Sequence, residues 1–317
     1  MSNNYFSSYH TYKEIFRVGE LVEEVDKIEP LKFDKRKKYI FIGCGSSYNI
    51  GLITKSVLNN LDFQAEAVTS GEFLVKEGLF ERISQKYDVA ILISRTGTTT
   101  ETVEVANILK SKIKTIGITC EKHSPLTSIC DEKYEFDFAH EESIVMTSSF
   151  SVILRFLLNG IYGVENKIIK PSKFLETYDK LTTNEIINSK EHFVFLGYNE
   201  KYFIAKESAL KIEEMALTNT EFYETLEYRH GPIALLTEKT HVTIFSDGSK
   251  YEKDLFEELK RKGASVHMLE PITEKSVLEV QFLSLYAQIL GFKKALAKGI
   301  NPDRPKGLVK SVVLRGD

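Results

Sequence analysis

Two stretches of the chain, Tyr39-Ile-Phe-Ile-Gly43 and Phe193-Val-Phe-Leu-Gly197, repeat each other position by position, and this repeat limits what the chain can fold into. Each is a short apolar run rich in β-formers that stops at a glycine, the pattern of a parallel strand buried on both faces. At the same offset after each run a helix opens, near Tyr48 in the first copy and near Tyr202 in the second. Farther along, Val242–Ser246 with Asp247-Gly248-Ser249 echoes Ile91–Ser94 and its loop. A helix over Lys253–Lys262 and a strand over Ala264–Met268 complete the echo. The spacing predicts two copies of one α/β unit, over residues 25–165 and 185–317. A chain of 317 residues has room for both.

The remaining elements follow from periodicity and punctuation. An amphipathic helix is expected over Tyr9–Ile28, and a strand over Ala65–Ser70. A short helix near Glu72–Glu77 would be ended by Gly78. Val89–Ser94 and Thr115–Thr119 are further strands. Thr98 and Glu101 have the spacing of a capping box, which predicts a helix from there to Lys110. A long helix is expected over Val152–Tyr162 and a last one over Leu278–Lys298, before a Pro-interrupted tail. Alternating strands and helices predict a doubly wound parallel sheet with helices on both faces, made twice. The domain reading is residues 1–165 for an N-terminal helix plus the first unit, 166–184 for a polar linker with Pro171, and 185–317 for the second unit plus the tail.

Bulk properties exclude several classes of partner. The net charge of −3 offers no broad basic surface for nucleic acid or an anionic membrane. No apolar run reaches the ~20 residues that span a bilayer, and the N-terminal stretch lacks the basic flank and apolar core of a secretory signal. Cys44, Cys120 and Cys130 form no pairable framework, which suits a reducing, cytoplasmic setting. The seven histidines are scattered, with no pair at i, i+4. Neither a metal nor a cofactor is expected.

Two features carry chemistry. Gly43-Cys44-Gly45-Ser46-Ser47 joins a strand to a helix, a layout that presents backbone N–H groups to an anion. Glu207, Lys211 and Glu214 sit at i, i+4 and i+7, on one face of a helix whose other face carries Ala205, Ala209, Ile212 and Ala216. Glu224, Glu227 and Arg229-His230-Gly231-Pro232 follow. From these residues alone two readings stay open: proton-transfer groups, or a solvated helix with an ion pair contributing a few tenths of a kcal/mol. The copies have also diverged. Ser46, Ser47, Ser94, Thr96, Thr98 and Thr99 make the first copy's loops rich in hydroxyls, whereas the second has Tyr198-Asn199-Glu200 and an acidic Asp247. A phosphate suits the first pair of loops and not the second.

The ordered set Gly43-Cys-Gly-Ser-Ser-Tyr-Asn, Ser94-Arg-Thr-Gly-Thr-Thr-Thr-Glu, Ala205-Lys-Glu-Ser-Ala-Leu-Lys-Ile-Glu-Glu and Glu227-Tyr-Arg-His-Gly-Pro resembles the double sugar-isomerase (SIS) family. That family includes the isomerase domain of glucosamine-6-phosphate synthase, stand-alone amino-sugar-6-phosphate deaminases and ketose/aldose isomerases. Thr11-Tyr-Lys-Glu-Ile and Asn301-Pro-Asp-Arg-Pro extend the likeness over nearly the whole chain. The resemblance implies two tandem SIS-type, flavodoxin-like units and a homodimer with shared active sites. It implies that Ser47, Ser94, Thr96 and Thr99 hold a sugar 6-phosphate, and that Gly45, Ser46, Arg95, Gly97, Val145 and Thr147 make further substrate contacts. Glu214 would carry a proton between C1 and C2, supported by Glu207 and Lys211. His230, from a neighbouring subunit, would open the sugar ring. Lys310, in Leu308-Val-Lys-Ser-Val, would form a Schiff base with the ketose.

Three departures shift the expected activity. Arg95 stands where the synthase type carries glutamine, Thr98 where it carries glutamate, and Ser2 rather than cysteine follows Met1. A chain of this kind is not expected to make ammonia from glutamine. The leading expectation is therefore an amino-sugar-6-phosphate deaminase, converting glucosamine or galactosamine 6-phosphate to ketose 6-phosphate and ammonia. A ketose/aldose phosphate isomerase is the alternative, as is the isomerase half-reaction of glucosamine-6-phosphate synthesis from fructose 6-phosphate and ammonia. A sugar-phosphate sensor is an alternative of another class, since fold does not fix function.

Overall fold

Among the described residues, nine strands pair in parallel and form two sheets. The first contains β1 (Lys38–Gly43), β2 (Gln64–Thr69), β3 (Val89–Ile93), β4 (Lys114–Thr119) and β5 (Glu132–Glu135), in the order β2-β1-β3-β4-β5. The second contains β6 (His192–Gly197), β7 (Thr220–Glu224), β8 (Thr240–Phe245) and β9 (Ser265–Leu269), in the order β7-β6-β8-β9. The two orders are the same once the fifth strand is set aside. Tyr39 lies opposite Ala65 and Val89, as Phe193 lies opposite Thr220 and His241. The computed structural model describes residues 6–164, 170–272 and 276–314.

Backbone geometry repeats as closely as sequence. Gly45 and Asn199, each just before a helix, have φ/ψ of 55/−127° and 50/−126°. Gly43 and Gly197 are required by close approach. A Cβ on Gly43 would meet the Ile93 carbonyl at 2.9 Å, and one on Gly197 would meet the Lys201 carbonyl at 2.5 Å. Each sheet's central strands are buried on both faces. Ile40, Ile42, Leu92, Val105 and Leu109 anchor one core, and Val194, Leu196, Val242, Ile244, Leu255 and Leu259 the other. Each such side chain contributes about 1.5–3 kcal/mol of burial free energy.

The chain divides into two units that are not contiguous. The N-sheet unit comprises Glu20–Glu141, Ser148–Asn166 and Val309–Asp317, and the C-sheet unit Met1–Gly19, Glu142–Thr147 and Lys167–Leu308. The terminal segments thus do not follow their sequence neighbours: the first residues belong with the second sheet and the last with the first. Sequence adjacency had grouped them the other way.

Several expected boundaries move. The single helix over Tyr9–Ile28 is two, His10–Phe16 and Val18–Val25, broken at Arg17, and the division between the units falls after Gly19, inside the second. Gly78 does not end the preceding helix, which stops at Val75; its positive φ of 73° starts the next, Leu79–Lys86. Thr98 caps nothing, because the helix starts at Thr100 and the Thr98 hydroxyl is turned to Thr96 and Ser311. The helix expected at Lys253 begins at Lys250, where Ser249 and Glu252 form a full capping box. The polar 166–184 stretch contains the helix Pro171–Leu181. The aromatic, acidic segment after the helix Glu200–Ala216 starts as strand β7, Thr220–Glu224.

The C-sheet core holds two histidines around one phenol. The Tyr286 hydroxyl lies 2.8 Å from His241 Nε2 and 3.0 Å from His267 Nδ1. Burial, then His267 and Lys190, holds His241 well below the ordinary histidine value of 6.5, and burial lowers His267 too. Both take up protons less readily in the fold than in the unfolded chain. Their contribution to stability is complete above about pH 6.5 and is lost as pH falls below it, at about 1.4 kcal/mol per pH unit per proton. The melting temperature should therefore drop between pH 7.5 and 5, and His267→Gln should flatten that slope.

Candidate active site

In the N-sheet unit the hydroxyl-rich residues converge on one turn. Ser94 follows β3, and the helix Thr100–Leu109 opens after Thr99. Ser94 Oγ lies 3.2 Å from Thr99 Oγ1 and accepts from the Gly97 N–H at 3.1 Å. Thr96 Oγ1 accepts from the Thr98 N–H at 3.3 Å and from the Thr98 hydroxyl at 2.9 Å. Ser46 and Ser47 form the first turn of the helix Ser46–Asn59, and Gly43 brings that turn against the end of β3, with Ile93 and Ser47 both within 3.1 Å of where its Cβ would sit. Two helix N-termini and neutral hydroxyls are a setting that favours an anion without lysines.

Arg95 is turned inward. Its guanidinium contacts Glu141 at 3.0 Å, and Glu141, fully buried, also accepts from the Ser149 N–H and hydroxyl. Arg95 Nη2 donates to the Lys310 carbonyl at 3.3 Å. The ionic partner Glu141 gave no sign in the sequence; it lies far along the chain in no motif. The tail carrying Lys310 comes to this turn as well, with Ser311 Oγ 2.9 Å from Thr98 Oγ1.

The matching turn of the C-sheet unit is closed by its own charges. Glu252 is buried and accepts from the Ser246 hydroxyl at 3.1 Å, the Asp247 N–H at 3.1 Å, the Ser249 N–H at 3.0 Å and the Ser249 hydroxyl at 2.8 Å. Lys201, at the position of Ser47, pairs with Asp247 and donates to the Ser246 carbonyl at 2.7 Å. Counted from the helix start, the position of Glu252 corresponds in the N-sheet unit to Thr102, a neutral residue bonded to Ser70 Oγ at 2.9 Å. The same fold thus answers its donors with a side-chain carboxylate in one copy and leaves a turn without an acid at that position in the other.

The C-sheet unit carries the ionisable face. The helix Glu200–Ala216 buries Ala205, Ala209, Ile212 and Ala216 as expected, but Glu207 and Lys211 are buried as well. Lys211 Nζ lies 2.5 Å from Glu214 Oε2 and 3.4 Å from Glu207 Oε1. The reading of a solvated helix is therefore excluded. The Glu214 side chain keeps 24% of its surface exposed, so of the three groups it is the one that can meet a substrate. His230 stands on a separate turn, exposed, after the short 3-10 segment Glu227–Arg229. That turn is tethered by Arg229, whose Nε is 2.8 Å from Glu258.

Val145 and Thr147 are buried in a segment held by the N-terminal helix. Glu14 accepts from the Glu142 N–H at 2.6 Å and bonds the Ser143 hydroxyl. Asp303 caps the same helix, accepting from the His10 N–H and from the N–H and hydroxyl of Thr11, while its carbonyl takes the Ile144 N–H. The terminal motifs of the sequence thus serve as clamps. A cavity of about 670 Å³ lined by His192, Glu213, Thr220 and Glu221 lies by the first residues of β6 and β7. In open α/β sheets ligands bind at the opposite, carboxyl ends of strands, where the hydroxyl turn lies.

The SIS domain pattern matches residues 32–158 and 185–276, well over half of the chain. A glucosamine-6-phosphate deaminase from Thermotoga maritima is 35% identical, with a TM-score of 0.84 over 96% of this chain and 100% of that one. The glutamine–fructose-6-phosphate aminotransferase of Chlamydia trachomatis is 26% identical over 96% of this chain, which spans only 58% of that relative's length. A tagatose-6-phosphate ketose/aldose isomerase from Escherichia coli shares the fold, with a TM-score of 0.75 at 18% identity over 97% of each chain. Among the described residues, no helix is long and apolar enough to cross a membrane.

Proposed function

Because the chain belongs to the SIS domain family, we propose that it is an amino-sugar-6-phosphate deaminase, converting glucosamine or galactosamine 6-phosphate to ketose 6-phosphate and ammonia. The observation that carries this reading is Glu214, a carboxylate reaching solvent while bonded to a buried ammonium that a second, buried carboxylate also touches. Such a group can accept a carbon-bound proton and return it, with Lys211 balancing its charge through the step. The likeness to the Thermotoga maritima deaminase over the full length of that chain favours loss of nitrogen over simple isomerisation.

Ser47, Ser94, Thr96 and Thr99 hold the 6-phosphate in this reading. His230, supplied by a neighbouring copy in a homodimer, opens the ring; its exposure in the chain suits delivery to a partner. Glu214 then takes the C2 proton and delivers it to C1, leaving a C2 imine. Lys310 adds to C2 and expels ammonia, and water releases the ketose. A small phosphorylated sugar and a second copy of the chain are the partners this reading requires, which fits a cytoplasmic enzyme.

The test is a panel of hexosamine and hexose 6-phosphates offered to the purified protein. Ammonia and ketose 6-phosphate should appear in equal amounts from a hexosamine 6-phosphate. The isomerase fold neighbour gives a second reading, and ketose/aldose exchange with no ammonia from either hexosamine would select it. Binding with no turnover of any sugar would point to a sensor.

A further inference from the structure

The tail after Leu308 is attached to the hydroxyl turn residue by residue. Arg95 donates to the Lys310 carbonyl, Thr98 contacts the Ser311 hydroxyl, the Thr100 N–H donates to the Val312 carbonyl at 3.1 Å, and the Leu314 N–H donates to the Thr100 hydroxyl at 2.9 Å. Apolar packing does little here. Val309, Val312, Val313 and Leu314 all expose about half of their surface or more. Polar contacts to the turn are what seat this segment.

Ser311 occupies a particular place among them. Its Oγ is 2.9 Å from Thr98 Oγ1 and 3.4 Å from Thr99 Oγ1, so it closes a chain of hydroxyls running Thr96, Thr98, Ser311, Thr99, Ser94. The Thr98 hydroxyl has one proton and two acceptors at 2.9 Å, Thr96 and Ser311. Such a chain has interchangeable donor directions, and an anion arriving beside it becomes the strongest acceptor. The hydroxyls then turn to the anion, Ser311 included.

We propose that Ser311 is a positioning residue for the reaction: its hydroxyl turns, together with those of Thr98 and Thr99, to the substrate's phosphate and thereby fixes the adjacent Lys310. The inference rests on the phosphate reading of the Ser94–Thr99 turn given above. Phosphate binding and tail seating are then linked: whatever the phosphate gains from the Ser311 hydroxyl, the tail gains in order. A hexosamine lacking the phosphate would leave Lys310 less well placed, so it would lose kcat as well as affinity.

The experiment uses the full chain with inorganic phosphate as probe, followed by steady-state kinetics with the hexosamine 6-phosphate. Ser311→Ala should weaken inorganic phosphate about tenfold or more, the size of one hydrogen bond to a charged group. It should raise KM and lower kcat without changing the melting temperature measured in the absence of phosphate. Ser311→Thr keeps the hydroxyl and should restore both constants. Thr99→Ala serves as the control for the site itself and should lose phosphate binding. If Thr99→Ala loses phosphate while Ser311→Ala binds it like wild type, the inference is overturned and the deaminase reading stands. If wild type shows no affinity for inorganic phosphate or for the sugar phosphate, the phosphate reading fails and this inference fails with it.

Discussion

Glu214→Gln should lower turnover of a hexosamine 6-phosphate by about 10²- to 10⁴-fold, the contribution of a positioned acid–base group. The amide is isosteric and can still accept from Lys211, but it cannot take a proton from carbon. Glu214 is partly exposed, and Glu207 stays beside Lys211, so the melting temperature should hardly change. A substrate KM within a few-fold of wild type would place the loss in the transition state. The same variant tests the shared site. Mixed under subunit exchange with His230→Ala chains, inactive by themselves, it should regain a fraction of wild-type activity, because some mixed dimers then hold one intact site. Verified exchange with no recovery would return His230 to its own chain.

The second large effect is on stability. Lys211 is fully buried with a carboxylate on either side. Lys211→Met removes the ammonium and leaves Glu207, also fully buried, with the cost of a desolvated charge. Breaking a buried pair from one side costs about 3–5 kcal/mol, which for units of this size lowers the melting temperature on the order of 10 °C. Glu207→Gln combined with Lys211→Met removes that charge too, and should recover much of the loss while remaining inactive. Thermal denaturation of the single and double variants measures both. A single variant as stable as wild type would show that Lys211 compensates no buried charge.

Much of this was legible in the sequence, and the parts that were not share physical causes. The strands buried on both faces, Tyr39–Gly43, Val89–Ile93 and Phe193–Gly197, announce themselves as apolar runs because both sides of the strand meet protein. The strands Glu132–Glu135 and Thr220–Glu224 pair on one side only and are largely polar and half exposed, so they gave no such run. The helical face of Glu207, Lys211 and Glu214 could be placed by spacing, yet its burial could not, since nothing local says that a Glu–Lys pair is covered. The capping signal at Thr98 and Glu101 was misleading because the Thr98 hydroxyl finds partners at Thr96 and Ser311. Glu141 against Arg95 and Asp303 against Thr11 are long-range pairings, invisible to any window along the chain.

The central claim, that one carboxylate moves the proton from C2 to C1 of a phosphorylated amino sugar, is tested most directly by isotope position. Hexosamine 6-phosphate carrying deuterium at C2 is turned over in ordinary water, and the ketose 6-phosphate is examined early for deuterium at C1. The account predicts that wild type releases ammonia and leaves part of the deuterium at C1, and that Glu214→Gln forms no labelled ketose at a comparable rate. Ketose formed by wild type with no deuterium at C1, or formed as fast by Glu214→Gln, would contradict it.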